Sequence, residues 1–180
     1  MSGTLQALLV GGSYAPLNTV APAITGTAQV RQTLSCSTGT WLGTGLTYAY
    51  QWKANGSNIG GATSSTYVID SAYVGQTITC QVTATNSSGS TAALSNTTSA
   101  VTANVPLAPT IGTATATTYS TATVAFTAPS DNGGATITSY TATSSPGGLT
   151  GTGSSSPITV SGLTGNTSYT FTVTATNSVG

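Results

Sequence analysis

Apolar and polar side chains alternate along several short segments of this chain, and this alternation limits its fold more than any other feature. In segments 33–37, 47–52 and 77–84 an apolar residue stands at every second position, with a small or polar residue between. A period of two residues is typical of a β-strand with one buried face. The intervening residue is often threonine, which favours strands because it is β-branched. No segment has a convincing helical period, so the sequence predicts an all-β fold.

Clusters of glycine, asparagine and serine separate these segments. The strongest turn signal is Asn55-Gly56, because both residue types tolerate the positive φ that a type I′ hairpin turn requires. Other clusters stand at 43–45, 60–61 and 87–89. Many short strands at regular spacing are typical of a sandwich or a barrel.

The chain also contains an internal repeat. The segment VTATNSSG at 82–89 recurs as VTATNSVG at 173–180, and two prolines, Pro106 and Pro109, stand between the two halves. Proline-containing connectors are short and semi-rigid. We therefore predict two tandem β-sandwich domains behind an N-terminal arm, with these bounds: arm 1–19, first domain 20–101, linker 102–108 and second domain 109–180.

Charge is almost absent, and this excludes several classes of function. The charged residues are Arg31, Lys53, Asp70 and Asp131, and there is no histidine or glutamate. General acid–base catalysis needs two titratable groups in reach of each other, zinc sites need clusters of histidine or cysteine, and nucleic-acid binding needs several cations at the phosphates. We expect no enzymatic activity, no catalytic or metal-binding residue, no cofactor and no nucleic-acid partner. No apolar run approaches the roughly 18 residues that span a bilayer, so no membrane span is expected.

The first predicted domain resembles a known family. Cys36, Trp52 and Cys80 stand in the order Cys…Trp…Cys on the apolar faces of three predicted strands, as in the immunoglobulin fold. The phrases GTAQVRQTLSCSTGTW, YQWKANGSNIGGATSSTYVI and GQTITCQVTATNSSGS resemble bacterial-type immunoglobulin-like modules of surface proteins and of tailed-phage virion proteins. The resemblance implies a structural disulfide between Cys36 and Cys80, with Trp52 in the core beside it. Ile78 stands where the family often has its corner tyrosine.

The second predicted domain, 109–180, resembles a fibronectin type III module. Phe126 stands near the position where that family usually has tryptophan, and Leu163 to Tyr169 resembles its Leu-to-Tyr corner, which implies that Tyr169 is a core residue. The sequence contains no final strand after the turn at Gly180. Either the chain is truncated there, or another subunit donates a strand to the unpaired edge. The segment Thr4–Val10 is a candidate donor.

These features favour a virion structural protein: a decoration, fibre or tail-associated subunit of a tailed phage. The N-terminus lacks the basic residues of a secretory signal, and an apolar cluster on a polar protein is typical of an interaction site. We expect other virion subunits as partners, a homo-oligomer within the assembly, and host-surface glycans as possible ligands. The alternatives are an adhesin or spacer on the bacterial surface, and a carbohydrate-binding accessory region of a secreted hydrolase. The candidate anchor residues in the arm are Leu5, Leu8, Leu9 and Val10.

Overall fold

The computed structural model describes residues 14–180, and these form two compact units built of β-strands. The first unit comprises residues 14–69 and 75–101, and the second comprises 70–74 and 102–180. The segment 70–74 contains a short 3₁₀ helix, Ser71–Tyr73. The prediction of an all-β fold with two tandem sandwiches is confirmed. The arm residues Leu5, Leu8, Leu9 and Val10 lie outside the described part of the chain.

The strands of the first unit form three sheets. Their order is β1-β4 in the first sheet, β2-β3-β7 in the second, and β6-β5-β8-β9 in the third. All of the pairings are antiparallel. The strands are β1 (Leu17–Val20), β2 (Ile24–Thr25), β3 (Thr33–Cys36), β4 (Thr40–Leu42), β5 (Thr47–Ala54), β6 (Ser57–Asn58), β7 (Thr66–Val68), β8 (Ile78–Asn86) and β9 (Gly89–Leu94).

The alternation in the sequence correctly predicts the buried faces of β3 and β8. In β8 every second residue from Ile78 to Ala84 is fully buried. In β5 the pattern holds only towards the end of the strand, where Trp52 is fully buried, whereas Tyr48 is exposed. Tyr48 lies instead beside Trp41, with ring centroids 6.5 Å apart.

The predicted hairpin turn is present between β5 and β6. Asn55 has φ 45° and Gly56 has φ 83°, which is the pair of positive values that a type I′ turn requires. The side chain of Asn55 also accepts a hydrogen bond from the backbone N–H of Thr77 at 3.0 Å. The turn is therefore tied to the residue that precedes β8.

The end of the predicted arm packs on the first unit, which corrects the boundary at residue 19. Strand β1 begins at Leu17 and pairs with β4, Pro16 is buried, and the carbonyl of Tyr14 accepts a hydrogen bond from Asn86 at 2.8 Å. These residues are held because strand pairing and a buried proline offset the entropy lost on ordering. The segment that stays outside this description is 1–13.

The second unit is a sandwich of two three-stranded antiparallel sheets. Their orders are β10-β11-β14 and β13-β12-β15. The buried core between them consists of side chains from β11, β12, β14 and β15, and the tilted rings of Phe126 and Tyr140 have their centroids 4.6 Å apart. The strands are β10 (Thr110–Thr118), β11 (Thr121–Thr127), β12 (Ser139–Ser145), β13 (Thr150–Gly153), β14 (Ile158–Ser161) and β15 (Thr170–Thr176).

Tyr169 does not belong to that buried core, which corrects the prediction from the sequence. It stands one residue before β15 and is half-buried. Its hydroxyl accepts a hydrogen bond from the backbone N–H of Thr164 at 3.0 Å. The Leu-to-Tyr corner is thus present as a hydrogen bond, and the tyrosine ring lies at the rim because its polar end needs a partner there.

Candidate functional site

The first unit contains a buried pair of thiols. Cys36 ends β3 and Cys80 lies within β8, so the two residues belong to different sheets. Both are buried and free, and their side chains share a hydrogen bond. The structure therefore differs from the disulfide that the family resemblance implies: the sulfurs are adjacent but not bonded.

Burial makes both thiols poor nucleophiles. It raises the pKa of Cys36, which the hydrogen bond with Cys80 partly opposes. Burial, followed by the hydrogen bond and the charge of Cys36, raises the pKa of Cys80 to about 12. A thiol reacts through its thiolate, and these shifts keep both groups protonated near neutral pH. The arrangement suits a structural pair rather than a catalytic one.

Trp52 lies beside this pair. It is opposite Cys80 in the register of β5 and β8, and its side chain is fully buried. The indole N–H donates to the carbonyl of Ser64 at 2.8 Å, so the ring is buried without an unsatisfied donor. Its ring centroid is 5.7 Å from that of Tyr67. The structure thus brings Cys36, Cys80 and Trp52 together in one core.

The charged groups serve local structure where their contacts are described. Lys53 donates to the side chain of Asn58 at 2.7 Å across the β5–β6 hairpin. Asp70 accepts from the backbone N–H of Ala72 at 2.8 Å and caps the 3₁₀ helix. Asp131 accepts from the backbone N–H of Gly133 at 2.7 Å within a loop. Between residues 14 and 180 no group of three or more metal-ligating side chains occurs, and no helix there is long and apolar enough to cross a membrane.

Asn86, at the end of the repeated strand of the first unit, binds two other parts of the chain. The side-chain oxygen of Asn86 accepts from the backbone N–H of Ser88 at 2.9 Å, which closes the turn between β8 and β9. Its side-chain nitrogen donates to the carbonyl of Tyr14 at 2.8 Å. One side chain therefore joins the turn to the segment by which the chain enters the unit.

The equivalent asparagine of the second unit has the same two roles. The oxygen of Asn177 accepts from the N–H of Val179 at 2.8 Å, and its nitrogen donates to the carbonyls of Asn104 and Asn132, both at 2.8 Å. Asn177 is buried. Asn104 belongs to the segment predicted as a linker. Asn177 therefore binds the segment by which the chain enters the second unit, as Asn86 does in the first unit. The repeat in the sequence reveals the matching asparagines, but not their distant carbonyl partners.

The second unit also has an open groove between its two sheets. Every residue of β10 is exposed, and within the described chain β15 is hydrogen-bonded to a strand on one side only, through β12. The groove has a volume of about 310 Å³. None of its lining residues is charged. They include Ala114, Ala116, Tyr119, Gly165, Tyr169 and Phe171.

Tyr119 borders this groove and contacts Asn166 and Gly165. It is 75% exposed, yet its hydroxyl accepts from the side-chain nitrogen of Asn166 at 3.2 Å. Its ring lies directly over Gly165, where an added Cβ would overlap the ring atoms. A side chain at position 165 would therefore displace the tyrosine ring from this position. Sequence reasoning missed Tyr119, since no pattern distinguishes it from other loop residues.

Comparison with known proteins identifies a fibronectin type III domain in residues 107–180. No curated protein matches the chain. A solved structure of titin domains A168–A170 is similar over 94% of this chain and 57% of that one, at 20% identity and a TM-score of 0.40. The chicken CNTN1 FN1–FN3 domains are similar over 93% of this chain and 64% of that one, at 18% identity and a TM-score of 0.37. This chain thus spans a little over half of the titin fragment.

The family match concerns the second unit, and the first unit is described by its all-β fold. Residues 107–180 are a fibronectin type III domain. Such modules are typically non-enzymatic and often take part in protein interactions.

Proposed function

We propose that this protein is a non-enzymatic virion structural subunit, a decoration, fibre or tail-associated protein that displays its two sandwiches on a phage particle. The tandem arrangement of a fibronectin type III domain with a second β-sandwich is the observation that carries the proposal. The near absence of charge supports it, because such a surface gives little colloidal repulsion and suits a protein held within an assembly. Segment 1–13, with Leu5, Leu8 and Leu9, is the proposed attachment to the particle.

The test is incorporation into particles. Phage particles from cells that express the full chain are purified on a density gradient and assayed by quantitative mass spectrometry. We expect the chain to sediment with particles at a constant copy number. A Leu9→Asp variant should be lost from the particles, whereas Gln6→Asp, on the other side of the alternation, should be retained. A full-length chain that stays entirely in the soluble fraction would contradict the proposal.

An adhesin or spacer on a bacterial surface is the second candidate, with glycans as ligands. Two exposed tyrosines of the first unit, Tyr14 and Tyr48, favour it, because exposed aromatic rings provide apolar faces on which sugars pack. Binding of the full chain to an array of bacterial glycans tests this candidate. Binding that is lost in Tyr48→Ala would support the adhesin, and no binding to any glycan would exclude it.

A further inference from the structure

Two Asn-Gly pairs occur in this chain, one in each unit, and the structure holds them differently. The backbone nitrogen that follows an asparagine is least hindered when it belongs to glycine, because glycine has no side chain. Once deprotonated, this nitrogen can attack the side-chain amide carbon of the asparagine and close a five-membered succinimide ring. The contacts of the two reacting groups decide where a folded chain allows this reaction.

The attacking nitrogen of the first pair, Asn55-Gly56, is open to solvent. Both residues are exposed in the turn between β5 and β6, and no residue between 14 and 180 accepts a hydrogen bond from the N–H of Gly56. A Cβ placed on Gly56 would meet nothing within 4 Å, so water and hydroxide reach this side of the turn. The N–H therefore loses its proton to solvent without first breaking a hydrogen bond.

The group that is attacked, the side-chain amide of Asn55, is polarised by Thr77. Its oxygen accepts from the backbone N–H of Thr77 at 3.0 Å and from the Thr77 hydroxyl at 3.2 Å. The backbone N–H of Asn55 donates in turn to the carbonyl of Thr77 at 2.9 Å, which fixes the two residues beside each other. Attack on the amide carbon moves negative charge onto the side-chain oxygen. Two donors that already point at this oxygen stabilise the charge as it develops.

The second pair, Asn132-Gly133, is held in the opposite way. Gly133 is buried, and its N–H donates to the carboxylate of Asp131 at 2.7 Å. Loss of this proton would break a charge-assisted hydrogen bond and place two negative charges side by side. A Cβ on Gly133 would overlap the carbonyl of Asn104, so this side of the loop is closed to solvent. The structure thus favours the reaction at Asn55 and opposes it at Asn132.

We propose that Asn55 is a site of spontaneous modification, at which the nitrogen of Gly56 attacks the side-chain amide with the help of Thr77. The new bond joins the Gly56 nitrogen to Cγ of Asn55, and the bond from Cγ to the amide nitrogen breaks. The leaving nitrogen departs as ammonia, with the equivalent of the proton that Gly56 has lost. Water then adds to one of the two ring carbonyls and opens the ring to aspartate or isoaspartate. No oxidant or enzyme is required, and the site does not depend on the virion proposal.

The modification changes both the charge and the turn. Each product adds a carboxylate to a chain whose formal charges sum to zero. Aspartate leaves the backbone unchanged, whereas isoaspartate routes the backbone through the side-chain carbon and adds one atom to the turn. The φ values of 45° and 83° match a type I′ turn, which has no room for that atom. We expect the isoaspartate form to lose the pairing of β5 with β6, including the contact from Lys53 to Asn58.

The experiment is incubation of the purified chain under native conditions at mildly alkaline pH. Samples taken over time are digested and analysed by mass spectrometry with a separation that distinguishes asparagine, aspartate and isoaspartate. We expect Asn55 to be converted about tenfold faster than Asn132, because only the first site combines a free N–H with two donors to the oxygen. The second pair is the internal control in every sample. Conversion of Asn55 that is no faster than that of Asn132 would overturn the proposal.

Two variants of Thr77 test its role as a positioning residue. Thr77→Val removes the hydroxyl donor but keeps the shape, and it should slow the conversion of Asn55 by about fivefold. Thr77→Ser retains the hydroxyl and should react like the unaltered chain, and the rate at Asn132 should not change in either variant. In urea all three chains should react at Asn55 at the same rate, since the effect depends on the fold. Equal native rates for Thr77→Val and Thr77→Ser would overturn the part assigned to Thr77.

Discussion

The same four residues, VTAT, form part of β8 in the first unit and of β15 in the second, yet they are buried differently. In β8 Val82 and Ala84 are fully buried, with β5 on one side and β9 on the other. In β15 Val173 is 7% exposed and Ala175 is half-buried, with β12 as the described neighbour. Identical sequence therefore does not give identical burial. The number of neighbouring strands decides it, as expected for a β-propensity that depends on context.

The largest expected difference between the units is in how their free energies of unfolding respond to oxidation, because both cysteines lie in the first unit. Oxidation to a Cys36–Cys80 disulfide should stabilise that unit by about 3–4 kcal/mol on the chain-entropy model. The second unit is the internal control and should not change. Both tryptophans, Trp41 and Trp52, report the first unit, so urea unfolding followed by tryptophan fluorescence measures it alone. An equal shift in both units would contradict this assignment.

The next largest difference is expected between the losses of stability caused by replacing Asn177 and Asn86 with alanine. Asn177→Ala leaves the carbonyls of Asn104 and Asn132 without their donor in a buried setting, and each lost buried partner costs about 1–3 kcal/mol. Asn86→Ala removes one such donor, to Tyr14, and should destabilise the first unit by about 1 kcal/mol. Unfolding of each unit by urea measures both values. A larger loss for Asn86 would contradict the equivalence of the two side chains.

Valine substitutions compare the two strands directly. Val82→Ala should cost about 2 kcal/mol, because it opens a cavity in a closed core. Val173→Ala should cost about 1 kcal/mol, because the surroundings at an open edge relax more easily. The two free energies of unfolding come from urea titrations of the variants. Equal costs would show that β15 is as enclosed as β8.

The pH dependence should be small and confined to the reduced first unit. A thiol in the unfolded chain titrates near about 8.5, whereas Cys80 in the folded unit has a raised pKa of about 12. The folded state then holds a proton that the unfolded state has lost, so stability is fully present below about pH 8.5 and falls as pH rises towards 12. Cys36, with a pKa raised by burial, contributes in the same direction.

The expected slope is about 1.4 kcal/mol per pH unit for each thiol within that window. Stability between pH 5 and 8 should be nearly constant. Tyr50, whose pKa is raised by burial and by the nearby thiols, adds to the loss only above about pH 10. Urea unfolding followed by tryptophan fluorescence at several pH values measures this loss of stability. The same loss near pH 9 in oxidised protein would exclude the thiols as its cause.

Much of the fold follows from local pattern. Strict alternation predicts the buried face of β8, and Asn55-Gly56 predicts the turn between β5 and β6, because both depend on residues within a few positions of each other. The adjacency of Cys36 and Cys80 follows from the family resemblance and is now seen as a hydrogen-bonded pair of thiols. The strand pattern and the turn need no knowledge of distant partners, whereas the cysteine pair is expected through the family resemblance alone.

The features that the sequence missed depend on contacts that strand alternation does not encode. Tyr169 was expected in the core, but its hydroxyl is bound by a backbone group and holds the ring at the rim. Residues 14–19 were expected in an arm, but Asn86 and β4 hold them on the first unit. The full exposure of β10 depends on what lies beside it, which local alternation cannot indicate.

Hydrogen exchange of the two identical segments, 82–86 and 173–177, tests the central comparison most directly. Their intrinsic exchange rates are matched because their sequences are the same. In a dilute solution of the chain 1–180 we predict that the amides of 82–86 are protected throughout, and that in 173–177 the amides that do not face β12 exchange rapidly, because β12 is the neighbour of β15 among the described residues. Continuous protection of 173–177 in dilute protein, equal to that of 82–86, would contradict the account.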